Sequence, residues 1–448
     1  MIAVPGFEGR EVAVFGLGRS GLPSARALKA GGARPVLWDD GVSGRLQAEA
    51  EGFQVEDLTQ ADWSRFAALV LSPGVPLTHP KPHWTVDKAR AAGVPVIGDI
   101  ELFARAVAVL PEGERPKVVA ITGTNGKSTT TALIGWVLNQ AGLKAHIGGN
   151  IGIGALALPA PQPGDVYVLE VSSYQLDLTH SFAPDVAVLT NISPDHLDRH
   201  GGMEGYVAAK RKIFDRAGVA LVGVDDDWGR AIAGELPNAE PISVAGFDGR
   251  LTHKGGFVAD LAQARSLPGR HNAQNAAFAY ATARALGVPH DKAVEGLMTF
   301  PGLAHRMEEV GHVGPVRFIN DSKASNADAA RQALASYPRS YWIAGGRAKA
   351  GGIDDLEDLF PRVAEAFLIG EAAGPFAARL GDTPHRICGD MATAVKVAAE
   401  AAAATGRDEV VLLSPAAASF DQYPDFEARG EAFRAAVLAL GATPAGAS

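Results

Sequence analysis

Residues Val118-Val-Ala-Ile-Thr-Gly123-Thr124-Asn125-Gly126-Lys127-Ser128-Thr129-Thr-Thr decide how the rest of the chain is read. A short apolar run, the signature of a buried strand, enters a glycine-rich turn. Lys127-Ser128 then opens a segment whose apolar positions Leu133, Ile134, Val137 and Leu138 recur at helical spacing. A strand, a tight turn and a helix in that order build a phosphate loop. Backbone N–H groups and the helix N-terminus cradle an anion, a lysine neutralises terminal phosphate oxygens, and a serine hydroxyl can reach Mg²⁺. The pattern G-x-x-x-x-G-K-[ST] is not met in full, because its first glycine would fall at Ile121. The loop starts at Gly123 and is a shorter variant. The bland alternative is a turn with an incidental lysine.

Outward from this loop, short apolar runs recur at 12–15, 167–169, 186–189, 316–319, 341–343, 367–369 and 410–413, each followed by a turn and a helix-like stretch. That alternation predicts α/β architecture built on parallel sheets. The alanine-rich stretch 392–404 reads as a helix. At about 150 residues per domain, 448 residues suggest three domains. Proline-bracketed Pro111-Glu-Gly-Glu-Arg-Pro116 and the segment Pro301-Gly-Leu-Ala-His-Arg306 offer boundaries. The expected division is 1–110, 111–305 and 306–448: a Rossmann-like first domain, a central phosphate-loop domain and a Rossmann-like third domain. The charge of −9, from 41 basic and 50 acidic residues, provides no general field for nucleic acid. One cysteine, Cys388, precludes internal disulfides and cysteine-based metal clusters. No apolar run is long enough for a membrane span, and Pro5, Gly6 and Glu8 interrupt any signal-peptide core. The expectation is a cytoplasmic protein without membrane or nucleic-acid partners.

Gly16-Leu-Gly18-Arg19-Ser20-Gly21 follows a strand and precedes a helix, and Asp39 closes the next strand. Three readings fit: a dinucleotide fold as in NAD-dependent dehydrogenases, a turn that holds the diphosphate of a nucleotide-linked substrate, or a structural turn. Ser72-Pro-Gly74 ends another strand and either lines the same crevice or merely turns the chain.

Gly123-Thr-Asn-Gly-Lys-Ser-Thr resembles the ATP loop of the Mur ligase superfamily, the ATP-dependent amide-bond ligases of peptidoglycan synthesis, which also includes folylpolyglutamate synthase. Further segments match in order along the whole chain. They are Gly148-Gly-Asn150, Leu169-Glu170-Val-Ser172-Ser-Tyr-Gln175, Thr190-Asn191-Ile-Ser-Pro-Asp195-His196-Leu-Asp198, Ala209-Lys210, Gly269-Arg-His-Asn272-Ala-Gln-Asn275, His305-Arg306 and Asn320-Asp321-Ser322-Lys323-Ala-Ser325-Asn326. The first glycine motif and the late Leu413-Ser-Pro-Ala-Ala-Ala-Ser419-Phe-Asp-Gln are most similar to the D-glutamate-adding branch. About 110 residues precede the ATP loop, where folylpolyglutamate synthases normally lack a separate domain. A dehydrogenase would leave Gly123–Thr129 and Glu170 without a task.

The resemblance implies a two-step reaction. A substrate carboxylate attacks the γ-phosphate of ATP, and an amine then displaces phosphate from the acyl phosphate. ATP falls to residues 123–129, to Asn272 and Asn275 three apart on one helix face, and to Arg306 and Asp321. Lys127, Glu170, His196, Lys210 and Lys323 become the catalytic set. Metal binding falls to Ser128, Glu170, His196 and Lys210. The last, which alone reads as part of a solvated helix face, is carbamylated by CO₂ in the family and so becomes a carboxylate. Two Mg²⁺ ions are expected, with Mn²⁺ tolerated because of the histidine. UDP-N-acetylmuramoyl-L-alanine falls to Arg19, Ser20, Asn150, Ser172, Gln175 and His196. D-Glutamate falls to Ser325, Lys349, Ser419, Phe420 and Phe426, with Arg347 a competing cation beside Lys349. Arg211 and Lys212 read as surface. The third domain is expected to close over the central one, in a monomer. Two departures stand out: Asp39-Asp40-Gly41 lies where a basic residue is frequent, and Ala417 where a cysteine is frequent.

Overall fold

In a computed structural model that describes residues 1–264, 266–349 and 351–445, the chain forms two compact units. The first comprises Met1–Ala259 and Gln274–Met298; the second comprises Asp260–Ala273 and the chain from Thr299 onward.

The first unit contains two parallel sheets. Strands β1 (Glu11–Phe15), β2 (Arg34–Trp38), β3 (Gln54–Val55), β4 (Phe66–Leu71) and β5 (Val96–Ile97) lie in the order β3-β2-β1-β4-β5. The order reverses between β1 and β4, so a crevice opens beyond their carboxyl ends, where such sheets bind ligands. Alternation along β1 divides its side chains between two cores. Val12 and Val14 face one cluster, and Ala13 and Phe15 face the other.

The second sheet has β6 (Lys117–Thr122), β7 (Lys144–Gly149), β8 (Asp165–Glu170), β9 (Val186–Leu189), β10 (Val219–Gly223) and β11 (Ala239–Ile242), ordered β11-β10-β9-β6-β8-β7. Strand β6 therefore sits between β9 and β8, and its phosphate loop emerges between the turns that follow them. The cluster holding Val12 and Val14 also contains Val118, Ala120 and Tyr167, so one core runs through both sheets. The helix Asp99–Ala108 belongs to that core through Ile100, Leu102 and Phe103. A hairpin, β12 (Arg250–His253) and β13 (Gly256–Asp260), follows.

The second unit is organised by β14 (Glu308–Val313), β15 (Val316–Asn320), β16 (Ser340–Gly345), β18 (Val363–Ile369), β19 (His385–Gly389), β20 (Glu409–Leu413) and β22 (Thr443–Pro444). Their order is β19-β18-β16-β20-β15-β14-β22, parallel except for the antiparallel β14. Strands β17 (Arg347–Ala348) and β21 (Ala417–Ala418) pair beside it. Trp342 and Ala344 face one core, and Tyr341 and Ile343 face the other. The expected strands and the alanine-rich helix Met391–Ala403 are all present.

Candidate functional site

The phosphate loop runs from the end of β6 into the helix Lys127–Gln140. Gly123 has φ +143°, and a Cβ there would stand 1.9 Å from Thr190 Oγ1; at Gly126, with φ +80°, it would stand 2.7 Å from Asn275 Oδ1. Glycine is required at both places. The turn after β9 clamps the loop. Thr124 N–H donates to the Asn191 carbonyl (2.8 Å), Asn125 N–H to Asn191 Oδ1 (2.9 Å), and Thr190 Oγ1 to the Asn125 carbonyl (2.7 Å). The Thr124 hydroxyl is turned inward onto the Ser193 carbonyl and the Tyr206 hydroxyl.

Two lysines share one oxygen of this loop. Lys127 Nζ donates to the carbonyls of Gly123 (3.0 Å) and Thr124 (2.8 Å), and Lys210 Nζ donates to the Gly123 carbonyl at 2.7 Å. Lys210 is 2% exposed. It lies 4.6 Å from the centre of the Tyr206 ring, one helical turn earlier. Burial, reinforced by the charge of Lys127, pushes its ammonium well below the usual lysine range. Glu170 ends β8 and is 3% exposed. The Ser128 hydroxyl donates to its Oε2, and the Asn150 amide donates to Oε1 at 3.1 Å. Lys127 and Lys210 thus meet on the Gly123 carbonyl, and Ser128 and Asn150 meet on Glu170. Among the described residues no three His, Cys, Asp or Glu side chains group as a metal site. A buried carboxylate with a serine hydroxyl still fits Mg²⁺, which takes hard oxygen ligands from one or two carboxylates and completes its shell with water and phosphate. A lysine amine does not fit; its carbamate would. Asn275 Oδ1 accepts from the Thr130 hydroxyl at 3.0 Å, beside Gly126.

His196 takes a left-handed conformation, φ +52°, after β9 and its turn. Its ring is half exposed, 3.4 Å from Asp195 Oδ2 and 5.1 Å from the centre of the Tyr174 ring. Ser172 caps the short helix Ser173–Asp177 after β8. Gln175, expected to touch substrate, is instead 4% exposed with both ends of its amide engaged inside the protein. In the first crevice Ser20 Oγ lies 3.2 Å from Ser72 Oγ, across the β1/β4 reversal, and the Arg19 guanidinium donates to the Gly152 carbonyl at 3.0 Å. Asp39 Oδ2 accepts from Leu17 N–H (2.6 Å) and Oδ1 from Gly41 N–H (2.7 Å). The acid that a dinucleotide fold would turn toward ribose here secures its own glycine-rich turn, which weakens the dehydrogenase alternative.

In the second unit Asn272 donates to the Pro268 carbonyl at 2.9 Å. Asp321 accepts from the Ser414 hydroxyl (2.9 Å) and Met307 N–H (3.2 Å), and burial pushes its carboxyl up to about 7. Arg306 N–H closes a turn onto Leu303. Lys323 Nζ lies 4.1 Å from the centre of the Phe426 ring. Ser325 and Ser322 share its turn, and the Ser322 hydroxyl donates to the Phe426 carbonyl at 2.8 Å. Ser419 is buried, whereas Phe420 is 64% exposed. Lys349 is exposed, and the competing Arg347 has both forks on the Glu371 carboxylate at 3.2 Å. Arg211 and Lys212 pair with Glu235 and Asp177, each at 2.9 Å.

Two residues here escaped the sequence reading. Arg429 is 1% exposed and donates to neutral oxygens: Ser322 Oγ (3.0 Å), the Ser322 carbonyl (2.7 Å) and the Ala417 carbonyl (2.9 Å). Burial lowers its guanidinium to about 10, so it stays charged between the sequence-distant turns of Ser322 and Ala417. Its i, i+3 spacing from Phe426 was the available signal. Tyr206, four before Lys210, carried the same kind of signal.

Comparison with known proteins agrees with this geometry. Residues 121–283 match the Mur ligase middle domain, and residues 305–417 match the Mur ligase glutamate ligase domain. The UDP-N-acetylmuramoylalanine–D-glutamate ligase of Caulobacter sp. (strain K31) is 62% identical over 98% of both chains. Its namesake in Nitrobacter hamburgensis is 52% identical over 99% of this chain and all of the other. Among solved structures, the UDP-N-acetylmuramate-alanine ligase of Thermotoga maritima superposes with a TM-score of 0.59 at 16% identity, covering 96% of this chain and 99% of the other. Likeness at that identity speaks to the fold alone.

Proposed function

The chain belongs to the Mur ligase family, and from that footing we infer that it joins D-glutamate to UDP-N-acetylmuramoyl-L-alanine at the expense of ATP, in peptidoglycan precursor synthesis. Lys127 and Lys210 meeting on the Gly123 carbonyl, with Ser128 at the start of the same helix bonded to buried Glu170, is the observation that carries the chemistry.

The alanyl carboxylate attacks the γ-phosphorus, the bond to the ADP oxygen breaks, and an acyl phosphate forms. The free amine of D-glutamate then adds to the carbonyl carbon, the nitrogen gives up a proton to the departing phosphate, and phosphate leaves with the electron pair of the C–O bond. Each step gathers negative charge, so the chain's contribution is positioned cations and N–H donors. The loop 123–129 cradles the phosphates, and Lys127 exchanges its carbonyl partners for their oxygens. Asn272, Asn275, Arg306 and Asp321 hold the rest of ATP. Arg19, Ser20, Asn150, Ser172 and His196 serve the nucleotide sugar. Ser325, Lys349, Ser419, Phe420 and Phe426 serve D-glutamate, and Lys323 serves the developing charge. The nucleotide sugar belongs to residues 1–110, ATP to 111–305 and the amino acid to 306–448.

Mg²⁺, when bound, would neutralise phosphate oxygens. Ser128, Glu170, His196 and Lys210 as its carbamate would hold it. The lowered basicity of Lys210 suits that modification: from the amine form, the lone pair forms the N–C bond to CO₂, one C=O pair moves to oxygen, and a proton is released from nitrogen. The active species is a monomer. Among the described residues no helix is long and apolar enough to cross a membrane.

The test is phosphate release with ATP, Mg²⁺ and UDP-N-acetylmuramoyl-L-alanine, run with D-glutamate, L-glutamate and no amino acid. Release that requires both the nucleotide sugar and the D-isomer is expected. Silence there, with release on a reduced folate and L-glutamate, would overturn the substrate.

A further inference from the structure

Glu170 is followed at once by the turn Val171-Ser172-Ser173, and the orientation of that turn rests on a chain of side chains that begins in the first sheet's last helix. Ser172 N–H donates to Gln175 Oε1 at 3.0 Å, its hydroxyl points to the same oxygen at 3.2 Å, and Gln175 N–H returns to Ser172 Oγ at 3.2 Å. The far end of the amide, Gln175 Nε2, donates to Asp99 Oδ2 at 3.0 Å. Asp99 is the first residue of the helix Asp99–Ala108 and is 5% exposed; its other oxygen accepts from Ile100 N–H at 2.9 Å. A carboxylate can only accept, so Asp99 dictates which end of the Gln175 amide faces Ser172. With the amide reversed, an NH₂ group would confront Ser172 N–H, and a carbonyl would confront the carboxylate.

We propose that Asp99, acting through Gln175, is a positioning residue that holds Ser172 in the orientation the nucleotide-sugar substrate requires. The inference rests on the reading of Ser172 as a contact for that substrate. The arrangement links the end of the first sheet's chain to the turn beyond Glu170, 71 residues later. It also explains why a glutamine, rather than an apolar residue, occupies an almost wholly buried place there.

The experiment is a donor–acceptor exchange. In Asp99→Asn, the new NH₂ group faces either the Gln175 NH₂ or Ile100 N–H, so one bond is lost and the amide is released to turn. Gln175→Glu alone brings two buried carboxylates together. The double variant Asp99→Asn/Gln175→Glu restores every partner: the amide introduced at position 99 donates to the carboxylate introduced at position 175, whose other oxygen accepts from Ser172 N–H. Each single variant should raise KM for UDP-N-acetylmuramoyl-L-alanine about tenfold while KM for D-glutamate and ATP stays within about twofold, and the double variant should recover to within about threefold of wild type. Single variants with unaltered KM, a double variant no better than the worse single one, or equal rises in all three KM values would each overturn the proposal. Melting temperatures track folding. Should Asp99→Asn be insoluble, Gln175→Met removes the amide from the same chain and should show the same selective KM rise; unaltered kinetics there would overturn it equally. Wild-type protein that does not turn over the nucleotide sugar would instead overturn the functional reading on which the proposal stands.

Discussion

At the scale of single residues, burial decides what each charged group can do. Burial and the neighbouring Lys127 push the Lys210 ammonium well below the usual lysine range, toward the amine form that takes up CO₂. Lys210→Ala should therefore lose activity by about 100-fold or more, the size of loss seen when one electrostatic contributor is removed. Added formate or acetate, replacing the lost carboxylate, should restore part of it. In the wild type, ¹³CO₂ should give a carbamate carbon resonance that the variant lacks; full activity of Lys210→Ala without additive would refute the role. Asp321 behaves differently. Its carboxyl rises from 3.8 to about 7 because burial outweighs the Ser414 and Met307 donors. The folded state binds the proton more tightly than the unfolded one, so this group's contribution to stability is complete below about pH 4 and is lost as pH climbs to 7. The loss is on the order of 2–4 kcal/mol. Asp321→Asn removes that dependence, so its melting temperature relative to wild type should rise between pH 5 and pH 8; parallel curves would contradict the assignment.

At the scale of elements, the glycines of the phosphate loop are set by their neighbours. A methyl group at Gly123 would strike Thr190 Oγ1, which holds the Asn125 carbonyl, and φ +143° is itself a conformation that other residues avoid. Gly123→Ala should cost about 1–3 kcal/mol and raise KM for ATP more than tenfold, read by denaturation and initial rates. An ATP KM at the wild-type value would show the loop to be irrelevant to nucleotide. This loop was legible in the chain because strand, glycines, lysine and helix are contiguous; so were the central strands β1, β8, β9 and β20, each a short buried run, whereas exposed edge strands such as β19 carry no such signal. Residues brought in from elsewhere were harder to read. Arg429 sits on an otherwise ordinary helix, and its spacing from Phe426 points to the neighbourhood without disclosing that its guanidinium ends among the carbonyls of Ser322 and Ala417. Gln175 has both ends of its amide engaged by Ser172 and Asp99, which spacing along a helix does not disclose. The Lys323–Phe426 contact joins turns about a hundred residues apart, and only the folded second unit brings them together.

At the scale of the molecule, the first two sheets are bonded as one body. Glu101, wholly buried on the helix Asp99–Ala108, accepts from His180 N–H and Ser181 N–H at 2.8 Å, from the Ser181 hydroxyl at 2.9 Å and from Arg105 Nε at 2.8 Å. Glu101→Leu would strand these donors and should destabilise the first unit by about 1–3 kcal/mol. Calorimetry of the full chain should then show an earlier transition for that unit and an unmoved one for the second; a shift of both together would mean that the units do not melt separately. The division of the chain between those units also has a consequence for biosynthesis. Residues 260–273 belong to the second unit, yet 274–298 return to the first. During translation the first unit therefore cannot close when its second sheet leaves the ribosome. It must wait for a helical stretch made after the opening piece of the second, which ends at Met298, 56 residues beyond the end of β11 at Ile242, a delay of roughly 3–11 s at about 5–20 residues per second. Throughout that interval the nascent chain carries an unfinished core, and it is in this period that a ribosome-bound chaperone would find its client.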